Sequence, residues 1–307
     1  MNGLTHQDST DGSLAGRSWK DFVQYWDVIP FLSIHLLCLM AFQTGIRWEW
    51  VLLAVGSYYL RMIAVTAGYH RYFSHRSFKT SRVFQFILAF LAMTSAQKGV
   101  LWWAAHHRHH HKYSDQEEDV HSPLQRGWWF SHVGWILSAE YMRTDLNLVR
   151  DFRRYPEICF LNRFYWIPPL CYALLMYGVW GFPGLVWGVF ISTTALYHCT
   201  FFINSLAHLI GRVRYKSNDG SKNSFILAIL CCGEGWHNNH HHYQSAANQG
   251  WFWWEVDVSY YVLSLLSWLG IVWDLRTPPE HIKARTIAVE SGTLMGRTPP
   301  AHSQGPS

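Results

Sequence analysis

Charge is what this chain has least of. Only 15% of its 307 residues are charged while half are apolar, against roughly 25% charged in a soluble globular protein. The shortage is concentrated: no Asp, Glu, Lys or Arg occurs from Ile29 to Ile46, or between Arg163 and Arg212. Uncharged runs of that length point to a bilayer, whose hydrocarbon takes about 20 apolar residues per helix. The six cysteines (Cys38, Cys159, Cys171, Cys199, Cys231 and Cys232) lack metal-knuckle spacing and sit largely in apolar runs. Neither a disulfide framework nor a zinc knuckle is expected. HExxH is absent, which leaves a zinc metalloprotease without support. The formal charge is a modest +5, and no basic run interleaves with aromatics, so a nucleic-acid surface is not expected. No cleavable leader is expected, because the first apolar run follows a mixed-charge stretch containing Asp8, Asp11, Lys20 and Asp21.

The apolar segments predict an all-α integral membrane fold: four transmembrane helices in two hairpins, with a cytoplasmic helical cap holding a di-metal site. The expected spans are about 29–46, 51–69, 164–181 and 185–207. Val83 to Gln97 is too short to span and reads as a buried or interfacial helix, and Val258 to Trp273 as a last packed helix. Residues 1–25 and 276–307 are polar and read as disordered tails around a membrane domain of 26–275. With four spans, both termini and all clustered histidines share one side. The Arg- and Lys-rich block from 70 to 163 names that side cytoplasmic, since the hairpin turns hold only Arg47 between them. Arg61 lies inside the second span, where an arginine must snorkel, pair internally or face water.

Histidine is what the chain has in excess. Nineteen are present, five of them in the six residues from His106 to His111. In a helix His107, His110 and His111 occupy i, i+3 and i+4, a spacing expected to converge on one ion. The same HxxHH pattern recurs at His237, His240 and His241. His70, His75 and His208 stand at the ends of the second and fourth spans. His70 and His75 are five apart, so one belongs to a helix end and the other to the following turn. Nine ligands exceed one ion and suit two, with Asn204 one turn before His208 and placed to reach a metal through water.

The segments HRYFSH, HRHHH, NSLAH and GEGWHNNHH resemble the histidine boxes of the integral-membrane fatty acyl desaturases, stearoyl-CoA desaturase-like and of the delta-9 type, in order and position from about Phe31 to Trp273. The resemblance implies two iron ions and O2 as co-substrate, with cis double-bond formation in a saturated acyl chain, held on CoA or on a membrane lipid, at the ninth carbon. It implies that Gln97, Trp103 and Thr200 shape the acyl tunnel and that Tyr58 closes its far end. Where the animal enzymes hold CoA with an Arg-Asp pair and an asparagine, this chain has Ala105, His106 and Lys98. The chain carries no haem module or iron-sulfur cysteine set, so electrons are expected from a separate cytochrome b5 or ferredoxin.

The remaining histidines have plainer expectations: surface or supporting roles for His106, His109 and His242, hydrogen bonding to a carboxylate or head group for His121 and His132, and buried, satisfied positions for His35 and His198. Asp115, Glu117, Glu118 and Asp119 are expected to orient histidines or pair with arginines. Three rivals remain. A lipid hydroxylase would use the same oxidant. A carboxylate di-iron bundle would use the two Glu-x-x-His pairs, Glu118–His121 and Glu234–His237, but needs further helical glutamates. A metal transporter would place its ligands at the bilayer midplane, whereas these clusters lie outside the spans.

Overall fold

The computed structural model describes residues 25–286. Of the expected tails, 1–25 and 276–307, residues 1–24 and 287–307 lie outside the described residues. Helix α1 (Tyr25–Leu37) passes through a tight turn and a further helical turn to Thr44, where Gly45 at φ 69° ends it. Helix α2 (Trp48–Ala64) runs back and widens without a break into π-helical turns over Val65–Ser74, a continuous rod of 27 residues. Helix α3 (Arg82–Met93) is capped by the Ser81 hydroxyl, which accepts the Phe84 N–H. It buries Gln85, Leu88, Ala89, Ala92 and Met93 and exposes Val83, Ile87 and Leu91. Helix α4 (Val100–Tyr113) starts where the Asn162 side chain accepts the N–H groups of Leu101 and Trp102. Asn162 comes from helix α5 (Pro156–Arg163).

Helix α6 (Ile167–Pro183) and helix α7 (Ser192–Ser205), joined by wide turns over Gly184–Ile191, form a continuous helical stretch of 42 residues from Ile167 to His208. Straight, it would be about 63 Å long, twice a bilayer core of about 30 Å. Gly181 resolves the mismatch. Its φ of 62° and ψ of −150° leave helical space, and the chain turns back so closely that a Cβ on Gly184 would lie 2.2 Å from the Met176 carbonyl oxygen. Trp48–Ser74 and Ile167–His208 are both long and apolar enough to cross a membrane, while Val28–Thr44 is a shorter apolar helix.

Arg61 is buried where α2, α7 and the end of α3 meet. Its guanidinium donates to Ser192 Oγ (2.5 Å), Thr193 Oγ1 (2.7 Å) and the carbonyls of Thr94 and Ser57, and lies 4.7 Å from the centre of the Tyr172 ring. Of the options open to it, the arginine takes internal pairing. His35, His198 and His132 satisfy one another in a row: His35 Nε2 is 3.0 Å from His198 Nε2, and His198 Nδ1 is 3.0 Å from His132 Nε2.

After α7 the chain forms helix α8 (His237–His242) and helix α9 (Val258–Trp268), whose first turn is capped by Asp257. Strands β1 (Lys79–Thr80) and β2 (Val272–Trp273) pair antiparallel. Part of the expected C-terminal tail is built in: the Arg276 carbonyl accepts the Ala247 N–H at 2.6 Å, and the Lys283 carbonyl, in the helical turn Glu280–Lys283, accepts the Tyr215 hydroxyl at 2.9 Å. Composition hides such backbone docking. The Gly181 conformation is essentially restricted to glycine, so Gly181→Val should cost about 1–3 kcal/mol. A thermal scan of the detergent-solubilised variant should show a clearly lowered Tm, and an unchanged Tm would remove Gly181 as the hairpin determinant.

Candidate metal centre

Nine imidazoles meet between the inner ends of α2, α4, α7 and α8. They form one group of five, His70, His75, His107, His111 and His240, and one of four, His110, His208, His237 and His241, with the ligand atoms of each group all within 4.8 Å of one another. These are the nine histidines singled out from the sequence, but each HxxHH is divided between the groups. His107 and His111 join the first and His110 the second, while His240 joins the first and His237 and His241 the second. The expectation that i, i+3 and i+4 converge on one ion is therefore corrected. At about 100° per residue, i+4 lies about 40° to one side of i and i+3 about 60° to the other. An i, i+4 pair shares one centre, and the residue between them is aimed at its neighbour.

The five-residue gap between His70 and His75 is closed by the π-helical turns. The His75 N–H bonds the His70 carbonyl at 3.1 Å, five residues back, and brings the two Nε2 atoms to 3.1 Å. Other Nε2 pairs have the same spacing: His75–His107 at 2.9 Å, His70–His240 at 3.1 Å, His111–His240 at 3.0 Å and His208–His237 at 3.0 Å. An octahedron with metal–nitrogen bonds of about 2.1 Å has edges of about 3.0 Å, so the donors already stand at coordination distances from one another.

Carboxylates behind the imidazoles fix this orientation. Glu234 accepts from His70 Nδ1 (2.6 Å), Asp119 from His110 Nδ1 (2.9 Å), Asp115 from His208 Nδ1 (2.8 Å) and Asp219 from His241 Nδ1 (2.7 Å). With the proton on Nδ1, each Nε2 presents a lone pair to the centre. Burial opposes ionisation of Asp115, but His208 and Ser122 overcome it and bring its pKa down to about 2. His110 and His241 likewise hold Asp119 and Asp219 far below the usual carboxylate range. Burial, reinforced by the neighbouring imidazoles, pushes His75, His107, His111, His237 and His240 well below the ordinary 6.5. Neutral imidazole is the form that binds metal. His241 Nε2 is buried without a hydrogen-bond partner, as expected of a donor whose partner is an ion. The donor set thus fits two transition metals.

Glu234 is held in turn by Arg71, which is buried between Glu234 (3.1 Å) and Asp257 (2.9 Å) and donates to the Ala247 carbonyl. Gly233, at φ 119°, permits this approach, since a Cβ there would lie 2.3 Å from Asp257 Oδ1. Asp115 and Asp119 were legible as histidine partners. Glu234 drew notice only as half of a Glu-x-x-His pair, and it backs His70 of the first group while His237 joins the second, which speaks against the carboxylate-bundle arrangement. Asp219 and Gln249, which reaches both Glu234 and His70 Nδ1, carried no sequence signal because they arrive from loops. Glu117 and Glu118 are exposed. His121 packs 4.4 Å from the His110 ring and groups with His110 and Asp119. His109 and His242 bond the carbonyls of Glu118 and Lys216.

A cavity opens beside the first group, lined by residues that include Phe31, Gln97, Trp103, His107, Thr200 and Asn204, with about 920 Å³ of empty space counting its open mouth. Trp103 stacks on the His107 ring at 4.9 Å and its indole N–H donates to Gln97, whose amide donates to Thr200 at 3.1 Å. Ala96 and Lys98, at φ 57° and 67°, bracket Gln97, a strained backbone that turns it inward. Tyr58, expected at the far end of a tunnel, is buried but is not among the residues lining this cavity, and its hydroxyl donates to the Leu230 carbonyl at 2.6 Å.

A family model described as fatty acid desaturase matches residues 47–269. The chain belongs to that family. Membership makes it an oxidoreductase. Among its relatives, the sn-1 stearoyl-lipid 9-desaturase of Synechocystis is 37% identical over 84% of this chain and 82% of its own length. The chloroplastic palmitoyl-monogalactosyldiacylglycerol delta-7 desaturase of Arabidopsis thaliana is 35% identical over 88% of this chain and 73% of its own. The acyl-CoA 5-desaturase AL21 of Anemone leveillei is 34% identical over 88% and 84%. Removing the carboxylate behind a ligand typically costs 10–100-fold in metal affinity. Asp219→Asn should therefore lower the bound metal, measured by elemental analysis after dialysis against a weak chelator. Full retention would detach Asp219 from the centre.

Proposed function

We propose that this desaturase holds two irons, one at each histidine group, and uses O2 to introduce a cis double bond at the ninth carbon of a saturated acyl chain carried on CoA. The observation that carries the reading is the joining of the five-histidine group to the cavity through the stacked pair Trp103–His107. When bound, the irons supply the oxidant, made from O2 and two electrons, that an unactivated methylene requires and no side chain can provide. The protein positions the chain. Phe31, Tyr197 and Phe201 offer it an apolar wall, while the hydrogen-bonded Gln97, Trp103 and Thr200 set the bend beside His107. Asn204, lining the same cavity, reaches a metal through water.

The four-span topology is part of this reading. Gly45 and Gly181 turn two helical hairpins, and the histidine clusters, both termini and the docking side for a cytochrome b5 or ferredoxin fall on the cytoplasmic face. Lipid-linked acyl chains are a second substrate reading, favoured by one observation. Ala105, where the animal enzymes hold CoA with a polar side chain, is buried, and the neighbouring His106 is engaged with the Trp102 carbonyl at 2.9 Å.

Analysis of the fatty acid products, in the native protein and in two variants, tests the proposal. In an expressing host, gas chromatography with double-bond localisation should show new delta-9 monounsaturated chains, and purified acyl-CoA and glycerolipid fed separately distinguish the carriers. Hydroxy acids would instead identify a hydroxylase. His240→Ala should abolish product while the protein still inserts, and retained product would sink the ligand assignment. Tyr58→Ala should lengthen the accepted chain, and an unaltered chain-length profile would remove Tyr58 from the tunnel end.

A further inference from the structure

The imidazoles are divided five and four, and the carboxylates behind them are divided the other way. Among the described residues, the first group has one carboxylate on an Nδ1 side, Glu234 at 2.6 Å from His70. The second group has three: Asp119 at 2.9 Å from His110, Asp115 at 2.8 Å from His208 and Asp219 at 2.7 Å from His241. Compensation of these charges is just as uneven. Glu234 is met by the Arg71 guanidinium, which it shares with Asp257. No Arg or Lys among the described residues pairs with Asp115, Asp119 or Asp219. Instead Asp115 accepts from the Ser122 hydroxyl and the Gly220 N–H, Asp119 from the N–H groups of Asp115 and His121, and Asp219 from the Ser221 N–H.

Irregular backbone gathers these acids. Asp115 stands at φ 59°, in the left-handed region, and from there its carboxylate meets His208, 93 residues away in sequence. Its own N–H is bound by Asp119, so two like charges are tied together. Crowding of that kind calls for a cation close by. Each Nδ1–H bond passes part of the carboxylate's charge through the ring and makes Nε2 a stronger donor. The ligand count does not reverse the asymmetry, because a fifth neutral imidazole strengthens the hold on a metal in either charge state. A carboxylate instead discriminates between charge states, by direct attraction to the higher one.

We propose that the two metal positions are electrostatically unequal: the four-histidine position, backed by Asp115, Asp119 and Asp219, favours the more highly charged ion, and the five-histidine position beside the cavity favours the more reduced one. This rests on the reading of two irons. Each iron passes between Fe(II) and Fe(III) by one electron exchanged with an external donor or acceptor. As the potential is raised, the four-histidine position gives up its electron first, and the position next to Trp103 and His107 gives up its electron second.

The test uses the full chain in phosphatidylcholine nanodiscs, loaded with Mössbauer-active iron and poised with mediator dyes at a series of potentials. Fe(II) and Fe(III) are counted by Mössbauer spectroscopy and total iron by elemental analysis. The native protein should oxidise in two one-electron steps. Asp119→Asn and Asp219→Asn should each move the first step and leave the second, lowering its Fe(III) to Fe(II) ratio at fixed potential at least tenfold, a rise of about 59 mV for a one-electron couple. Glu234→Gln should move the second step alone. If Asp119→Asn loses one iron instead, the iron that remains should be the one oxidised at the higher potential. Carboxylates with a merely structural role would lower Tm or iron content without moving one step selectively. Coincident steps in the native protein, a first step that follows Glu234→Gln and ignores both aspartates, or retention of the lower-potential iron in Asp119→Asn overturns the proposal. One iron per native chain, with a potential that follows Asp119 and Asp219, would sink the two-iron reading and leave the preference of the four-histidine position standing. One iron that follows Glu234, or none, overturns both.

Discussion

The structure depends on holding nine imidazoles close together and pointed inward. Unsupported, such a cluster would be a poorly packed set of polar rings in a buried space, each ring costly to desolvate. Carboxylates on the Nδ1 side solve the problem for His70, His110, His208 and His241 by fixing the tautomer and aiming the lone pair. Those carboxylates are themselves buried and need partners, which explains Arg71 between Glu234 and Asp257 and the backbone N–H groups around Asp115 and Asp119. The cap is built outward from the ligands in successive layers of charge compensation.

Irregular backbone appears where that constraint is tightest. The π-helical turns before His75 bring a five-residue spacing onto one centre. Positive φ on both sides of Gln97 turns its amide toward Thr200 and Trp103. Regular helix would have been cheaper at both places, and at both the deviation brings a side chain to the site. The long apolar helices show the complementary solution. Arg61 and the row His35, His198 and His132 are polar groups among apolar surroundings, and each is satisfied by neighbouring helices without any carboxylate.

What the sequence determined by itself was which histidines gather into the candidate centre. Nine histidines were legible because imidazole density at helical spacings has few uses, and Asp115 and Asp119 were legible because they follow the cluster closely. Uncharged runs marked the long apolar helices because an apolar helix leaves no place for an unpaired charge. Which histidine serves which centre was decided only in the folded chain. The angle between i+3 and i+4 divides each HxxHH, and that division matters only once α4 and α8 face each other. Asp219, Gln249 and the Arg71 pairing were likewise out of reach, since loops far apart in sequence bring them together and no local periodicity records such meetings. The docking of Arg276 and Lys283 was hidden for a related reason: backbone carbonyls do that work, and every residue has one.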